Sequence, residues 1–394
     1  MPLALDGLKV LDLAHLLPGM YCTMFLGDLG ADVLRVERPA QEESSSESGQ
    51  LKTVMDSSYE AFNRNKRSIT LNMRSEEARQ IIYKLVRNTD VVVEGFRPGV
   101  TQRLGIDYET LKEINPRLIY CSMSGYGQDG PYCKLPGHDL NYISVGGVQD
   151  MIGQRDGPHV IPMNFIADFA GAALHAVISI LAAIIAREQT TRGQYIDISY
   201  LDTVLSLMTS FAYDYFDNGT IYRRGETFFS GASPCCGVYQ CKDDKYCSVA
   251  CVEPWFWENI CRALEREDFI PYQFDEGAKK DEIAKYLQEV FRTRTRDEWF
   301  NFLFDKNIPI SKLYSIDEVF SDPQVIHRQM LVEVAHPVKG MVKHVASAIK
   351  LSDTPGTIRS GAPVPGQDTV SVLTELGYTK EKIENFKKEG AVYY

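Results

Sequence analysis

Up to about residue 125 the chain repeats one pattern, a short apolar run followed by a segment with helical spacing. Lys9–Leu13 (KVLDL), Asp32–Val36 (DVLRV), Ser68–Leu71 (SITL), Val91–Glu94 (VVVE) and Leu118–Ser122 (LIYCS) read as strands. Helices are expected between them. Pro18–Leu29 carries a proline near its start, and Ser75 caps a helix through Val86 with Glu76 and Glu77 in its first turn. Tyr108–Ile114 is stopped by Asn115-Pro116. Strands without polar alternation are buried on both faces, and strands that alternate with helices build a parallel sheet. The chain is therefore expected to be an α/β protein with a mainly parallel sheet.

Two segments interrupt this rhythm. Pro39 to Asn63 is rich in Glu and Ser (EESSSESG) and reads as a mobile surface loop. Phe169 to Ala186 (FAGAALHAVISILAAIIA) is apolar and close to the lower limit for a membrane span. Its Ala and Gly content and its start directly after Asp168 favour a buried helix packed closely on a sheet. A strand at Gln194–Ser199 and a helix to about Phe211 follow. Gly219–Ser233 reads as loop. Cys236–Cys241 and Tyr246–Cys251, joined by Lys242-Asp243-Asp244-Lys245, read as a hairpin, and helical patterns run on to about Asp305. This block forms a smaller α+β domain at 225–330, between a first part of the large domain (1–224) and a return to it (331–394). The return holds an irregular run, Pro355–Gln367, and two helices, Thr369–Leu376 and Lys380–Lys388.

With 394 residues, 44% hydrophobic and 24% charged, the chain has ample material for a core. A formal charge of −11 argues against nucleic acid as a partner. Nine cysteines without a C-x2-C pair fit a reducing compartment, and Met1 to Asp6 is too short and too acidic for a signal peptide. A cytoplasmic protein without a membrane partner is expected. Cys236-x4-Cys241 and Cys247-x3-Cys251 fall inside the loose range for zinc ligands, but their strand context favours small apolar side chains, and no metal is expected.

Gly125-Tyr-Gly127-Gln-Asp-Gly130 satisfies the dinucleotide fingerprint, which would make a nicotinamide enzyme. The fingerprint needs a helix N-terminus at the pyrophosphate, and here Pro131, Cys133, Lys134 and Pro136 follow instead. Two other segments stand out. In Gly137-His138-Asp139-Leu140-Asn141-Tyr142 the structural reading is a histidine in a polar loop near a helix start. In Ile166-Ala167-Asp168-Phe169-Ala170-Gly171 it is an aspartate N-cap.

Taken with other segments, these resemble family III CoA-transferases and their α-methylacyl-CoA racemase relatives. The resemblance rests on LKVLDLAHLLPGMYCTMFLGDLGADVLRVERP, RNKRSITLNMR, VVVEGFRPGVTQRLGI, NPRLIYCSMSGYGQDGP and PGQDTVSVLTELGYTKEKIENFKKEG, and spans almost the whole chain. It implies a large Rossmann-like α/β domain built from both chain ends, a small central domain, and an interlocked homodimer with a shared active site. It also implies an acyl-CoA thioester as substrate, so that CoA is no separate cofactor. Arg38, the Leu71–Arg74 segment (Leu71, Asn72, Met73, Arg74), Arg97, Arg103 and Gly137–Tyr142 would contact CoA. The region before residue 104 also holds Arg64, Lys66 and Arg67, and for each arginine of the region taken singly a solvated surface charge is the structural reading.

Within the family, GHDLNY is similar to the racemases, where this His and the later Asp are the acid/base pair. Val252-Glu253-Pro254 resembles the racemase segment whose glutamate supports the His. The transferases keep the Asp as nucleophile, generally lack the His and tend to carry a glycine run where this chain has Ser230-Gly-Ala-Ser-Pro. The resemblance thus implies a 2-methylacyl-CoA racemase with His138, Asp168 and Glu253 as catalytic residues. A CoA-transferase with Asp168 as nucleophile is the alternative, and a catalytically silent CoA-binding protein a third. The helix start at Asp168 is also expected to aim backbone N–H groups at an enolate oxygen. Of Trp255, Phe256 and Trp257, packing is the expected role.

Overall fold

The computed structural model describes residues 2–39 and 49–394. Its chain divides into two compact units. One comprises Met1–Gly146, Met163–Leu207 and Pro323–Tyr394; the other comprises Gly147–Pro162 and Met208–Asp322. The second unit thus begins earlier and ends earlier than the expected 225–330, and takes in a short excursion at 147–162. Helix Thr209–Asn218, which a periodicity reading runs on from the preceding helix, belongs to it.

The first unit is built on a seven-stranded sheet. Its strands are β1 (Lys9–Asp12), β2 (Asp32–Glu37), β3 (Lys66–Leu71), β4 (Val91–Glu94), β5 (Ile119–Ser124), β6 (Tyr195–Ser199) and, far along the chain, Val392–Tyr393. The order is Val392–Tyr393, β3, β2, β1, β4, β5, β6. β1 to β6 pair in parallel, and the terminal strand adds antiparallel to β3. This is the 3-2-1-4-5-6 order of doubly wound folds, in which the chain reverses direction between β1 and β4 and leaves a crevice at the strands' carboxyl ends.

The helices expected from the sequence form α1 (Leu17–Asp28), α3 (Glu76–Val86) and α5 (Tyr108–Ile114). Ser75 caps α3 by accepting from the Ala78 N–H at 3.1 Å. Ala78, Ile81, Ile82 and Val86 on one face of α3 join the sheet core with Leu11, Val92 and Tyr120. The expected loop over Pro39 to Asn63 is corrected for its second half, which forms α2 (Gly49–Phe62). Ser-rich composition hid the apolar anchors there. The Phe62 ring meets Tyr21 of α1 at 5.2 Å, and Tyr59 donates to Glu37 at 2.9 Å. The Glu/Ser run at 40–48 lies outside the described residues. Short α4 (Val100–Leu104) and α6 (Asp139–Val145) complete this part of the chain.

The apolar segment forms one continuous 26-residue helix, Phe165–Thr190. Its first part, Phe165–Ala173, is a π-helix, and α7 (Leu174–Thr190) continues it. The helix is the crossover between neighbouring strands β5 and β6, and its buried face packs on β5. Buried Arg187 pairs with Asp90 at 3.0 Å near its end. Expectation fails at the start. Asn164 is the N-cap, so Asp168 lies within the first turn of the helix and not at its cap. α8 (Tyr200–Leu207) follows β6.

In the second unit the expected hairpin forms from β7 (Cys236–Gln240) and β8 (Tyr246–Ala250), and a third strand, Ile310–Leu313, joins β8 antiparallel. Cys235, Cys241, Cys247, Cys251 and Cys261 are buried beside Trp257, Phe269, Phe291 and Trp299, as small apolar side chains in a core.

Candidate active site

The crevice at the β1/β4 reversal is an open cavity of about 630 Å³. Each strand of the central set delivers lining residues from its carboxyl end. Leu13, His15 and Leu16 follow β1, Arg38 follows β2, and Met73 and Arg74 follow Leu71, the last residue of β3. Gly95, Phe96 and Arg97 follow β4, and Arg103 comes from α4. Six of the expected CoA contacts (Arg38, Leu71, Met73, Arg74, Arg97 and Arg103) therefore line one cavity, four of them cationic. His15, which the sequence did not single out, lies among them. Burial and the nearby Arg35 and Arg38 charges push its pKa down to about 3, so it is a neutral imidazole.

The other cations of the region have different partners. Arg64 forms a buried pair with Asp28 at 2.6 Å and donates to the Val345 carbonyl at 2.7 Å. Lys66 is buried against Asp12 at 3.0 Å, and Arg67 pairs with Asp32 and Glu375. For Arg64 the expectation of a solvated surface charge is wrong, because its carboxylate partner Asp28 sits inside the fold. Asn72 also faces the protein, donating to the Gly390 carbonyl at 3.2 Å.

His138 is the N-cap of α6, and its own N–H donates to Asn141 Oδ1 at 3.0 Å. His138 and Leu140 are exposed, whereas Asp139 and Tyr142 are buried. The Tyr142 ring is clasped by glycines. A Cβ at Gly125 would stand 2.4 Å from Tyr142 Cε1, and one at Gly137 would stand 2.8 Å from it. Tyr126 and Tyr200 close on the same ring edge-on, each at 5.2 Å. This accounts for the first glycine of the false dinucleotide fingerprint, which makes room for an aromatic ring. Gly127 and Gly130 have φ of +88° and +81° and form turns.

Asp168 lies near His138 and Tyr142, and Tyr142 lies near Arg97 of the cavity, each within electrostatic reach of the next. Asn164 Nδ2 donates to Asp168 Oδ2 at 3.2 Å. The Asp168 pKa is pushed up to about 6. Burial is the main cause; the Asn164 hydrogen bond opposes it, the Asp139 charge adds to it, and His138 opposes it. The Ala167 and Asp168 N–H groups do not face a substrate. Both donate to Asp139 Oδ2, at 2.7 and 2.9 Å, which removes them from the expected enolate-stabilising role.

Glu253 belongs to the second unit. It is an exposed N-cap of helix Pro254–Ala263, and the segment before it is held by buried Gln273, which donates to the Cys251 and Val252 carbonyls at 2.9 and 2.7 Å. Packing describes Trp257, which is buried with Nε1 bonded to the Phe269 carbonyl, and Phe256. Trp255 is exposed.

A cavity at the strand reversal, with His138 and Asp168 near its rim through Tyr142, is set beside what the sequence is similar to. The sequence matches CoA-transferase family III over residues 5–369. This chain belongs to that family. A succinyl-CoA:mesaconate CoA-transferase from Haloarcula marismortui is 33% identical, with 95% of this chain and 96% of the relative covered. The human α-methylacyl-CoA racemase is 30% identical, with 97% and 95% covered. The crystal structure of a CaiB/BaiF family protein from Brucella suis superposes with a TM-score of 0.79 at 30% identity, covering 95% of this chain and all of that one. The family member described here is thus an enzyme of the CoA-transferase and racemase superfamily. Transferase and racemase relatives stand at similar identity, so the reaction has to be argued from the site.

Proposed function

We propose that this enzyme inverts the α-carbon of 2-methylacyl-CoA thioesters by proton transfer through an enolate. The observation that carries this reading is that His138, the N-cap of α6, lies within electrostatic reach of Asp168, whose burial pushes its pKa up to about 6. Two stereoisomers that differ at one carbon are nearly equal in energy, so each face needs a group that can both take and return a proton. Neutral His138 removes the α-proton, and the Asp168 O–H delivers a proton to the opposite face. One proton leaves and one arrives, and the reverse direction exchanges the roles. An aspartate at the ordinary value of 3.8 would be a poor proton donor near neutrality. The four cavity cations would hold the phosphates of CoA.

Glu253 is proposed to orient the His138 ring, acting from the partner subunit of a homodimer. An apolar surface on the first unit supports the dimer: Ile178 and Ile185 of α7 are 61% and 66% exposed, and Leu205 and Leu207 of α8 are exposed too. The expected setting is the cytoplasm.

The test is solvent exchange. In D2O the enzyme should incorporate deuterium at the α-carbon of a 2-methylacyl-CoA with no second acid present, and His138→Ala should lower this by about 10³-fold. Transfer of CoA to an added carboxylate without exchange would make it a transferase with Asp168 as nucleophile.

A further inference from the structure

We propose that Asp139 is a positioning residue that holds the two proton-transfer groups in register, through a chain bond on one side and the capping of a helix on the other. The proposal rests on the pair His138 and Asp168 named above. Asp139 directly follows His138. Its Oδ2 accepts the N–H of Ala167 and of Asp168 itself. One rigid carboxylate therefore joins the loop that carries one group to the helix turn that carries the other.

The helix start needs such a partner. The first N–H groups of a helix have no acceptor within it, and their partial positive charge favours an anion. Ordinarily the N-cap side chain accepts from them. Here the N-cap is Asn164, which makes no capping bond and gives its amide to Asp168 instead. The cap arrives from a residue 28 positions away.

A neutral cap would be the cheaper solution. Asp139 is 3% exposed, and its Oδ1 has no hydrogen-bond partner among the described residues. A buried carboxylate with one oxygen left over is costly. Its charge has one evident use, because it lies near the Asp168 carboxyl and disfavours a second negative charge there. The other polar groups at Asp168 come from every neighbouring element. α6 brings His138 and Tyr142, α8 brings Tyr200, and the same helix brings Asn164. α1 brings Tyr21 against the adjacent Phe169, and His175 of α7 is bonded to the Gly171 carbonyl. Of these, Asp139 alone is a second acid; burial raises its own pKa too, and the Asp168 and Ala167 N–H bonds oppose the rise.

The experiment is a carboxyl ¹³C NMR titration of the full-length enzyme labelled at aspartate, with the Asp168 signal assigned by its loss in Asp168→Asn. Asp139→Asn keeps an oxygen for the two N–H groups and removes the charge. The Asp168 midpoint should fall by about one unit, and the acidic limb of kcat should move with it while KM for the thioester changes little. Asp139→Ala should also speed hydrogen exchange at the Ala167 and Asp168 amides and lower kcat about tenfold or more. In the wild-type enzyme, the Asp139 signal should show a second inflection at the Asp168 midpoint, a readout that needs no variant at 139. An unmoved Asp168 midpoint in Asp139→Asn, or an Asp139 signal without the second inflection, overturns the proposal. The titration needs no substrate, so it is independent of the reaction. If the wild-type enzyme exchanges no α-proton but the midpoint moves, the racemase reading fails and the role of Asp139 stands.

Discussion

Glu94 shows how one buried acid makes this fold depend on pH. It ends β4, is 2% exposed, and accepts from the Ser122 hydroxyl and, at 2.7 Å, from the Phe96 N–H. Burial pushes its pKa up to about 7; the two hydrogen bonds oppose this, and the Asp197 charge adds to it. The folded state then holds this proton more tightly than the unfolded chain does. Stability is fully present below the unfolded value of 4.5, falls as pH rises through about 7, and stays lower above it. The difference of 2.5 units corresponds to about 3 kcal/mol. Glu94→Gln should therefore raise the unfolding temperature at pH 8 and leave it nearly unchanged at pH 4. Thermal unfolding at the two pH values checks this, and an equal effect at both would refute it. None of this is legible in VVVE, where the glutamate reads as a polar strand end. The same holds for Lys66 and Arg64, whose partners Asp12 and Asp28 lie more than 30 residues away in sequence.

At the scale of elements, the strands were legible because burial on both faces leaves a plain mark, a run of β-branched and aliphatic residues. The π-helix was not. Bonding from each residue to the fifth before it leaves no composition signature, and an Ala/Gly-rich run looks the same in either helix type. The cost of that blindness was specific: Asp168 read as an N-cap, and its N–H as free for an enolate. The Tyr142 clasp was likewise hidden, since Gly125 looked like a phosphate-binding glycine. Its real role makes it testable. A methyl group at Gly125 would overlap the Tyr142 ring, which is closed in by Tyr126 and Tyr200 and has little room to give. Gly125→Ala should cost about 1–3 kcal/mol and, by shifting α6, lower kcat. Gly130→Ala is a poor control because of its positive φ, so Gly277→Ala in the second unit serves, where the nearest atom is the Asp275 carboxylate at 3.5 Å. If both variants unfold alike, the clasp does not matter.

For the whole molecule, the proposed dimer makes the chain that supplies Glu253 testable. His138 and Asp168 lie in one compact unit and Glu253 in the other. The shared-site reading makes a prediction that does not depend on the details of either unit. Take His138→Ala and Glu253→Ala, each expected on the proposed function to be inactive or nearly so, and express the two chains together. If each site draws His138 from one chain and Glu253 from its partner, a mixed dimer holds one site with both lesions and one with neither. Random pairing makes half the dimers mixed, so about a quarter of wild-type exchange activity should return. If each site draws both residues from one chain, every site keeps a lesion and nothing returns. Ile178→Glu with Ile185→Glu places charge on the exposed apolar face of α7 and should give a monomer by sedimentation. On the shared-site reading that monomer is inactive, although its own His138 and Asp168 are intact. An active monomer would place Glu253 in the same chain as His138.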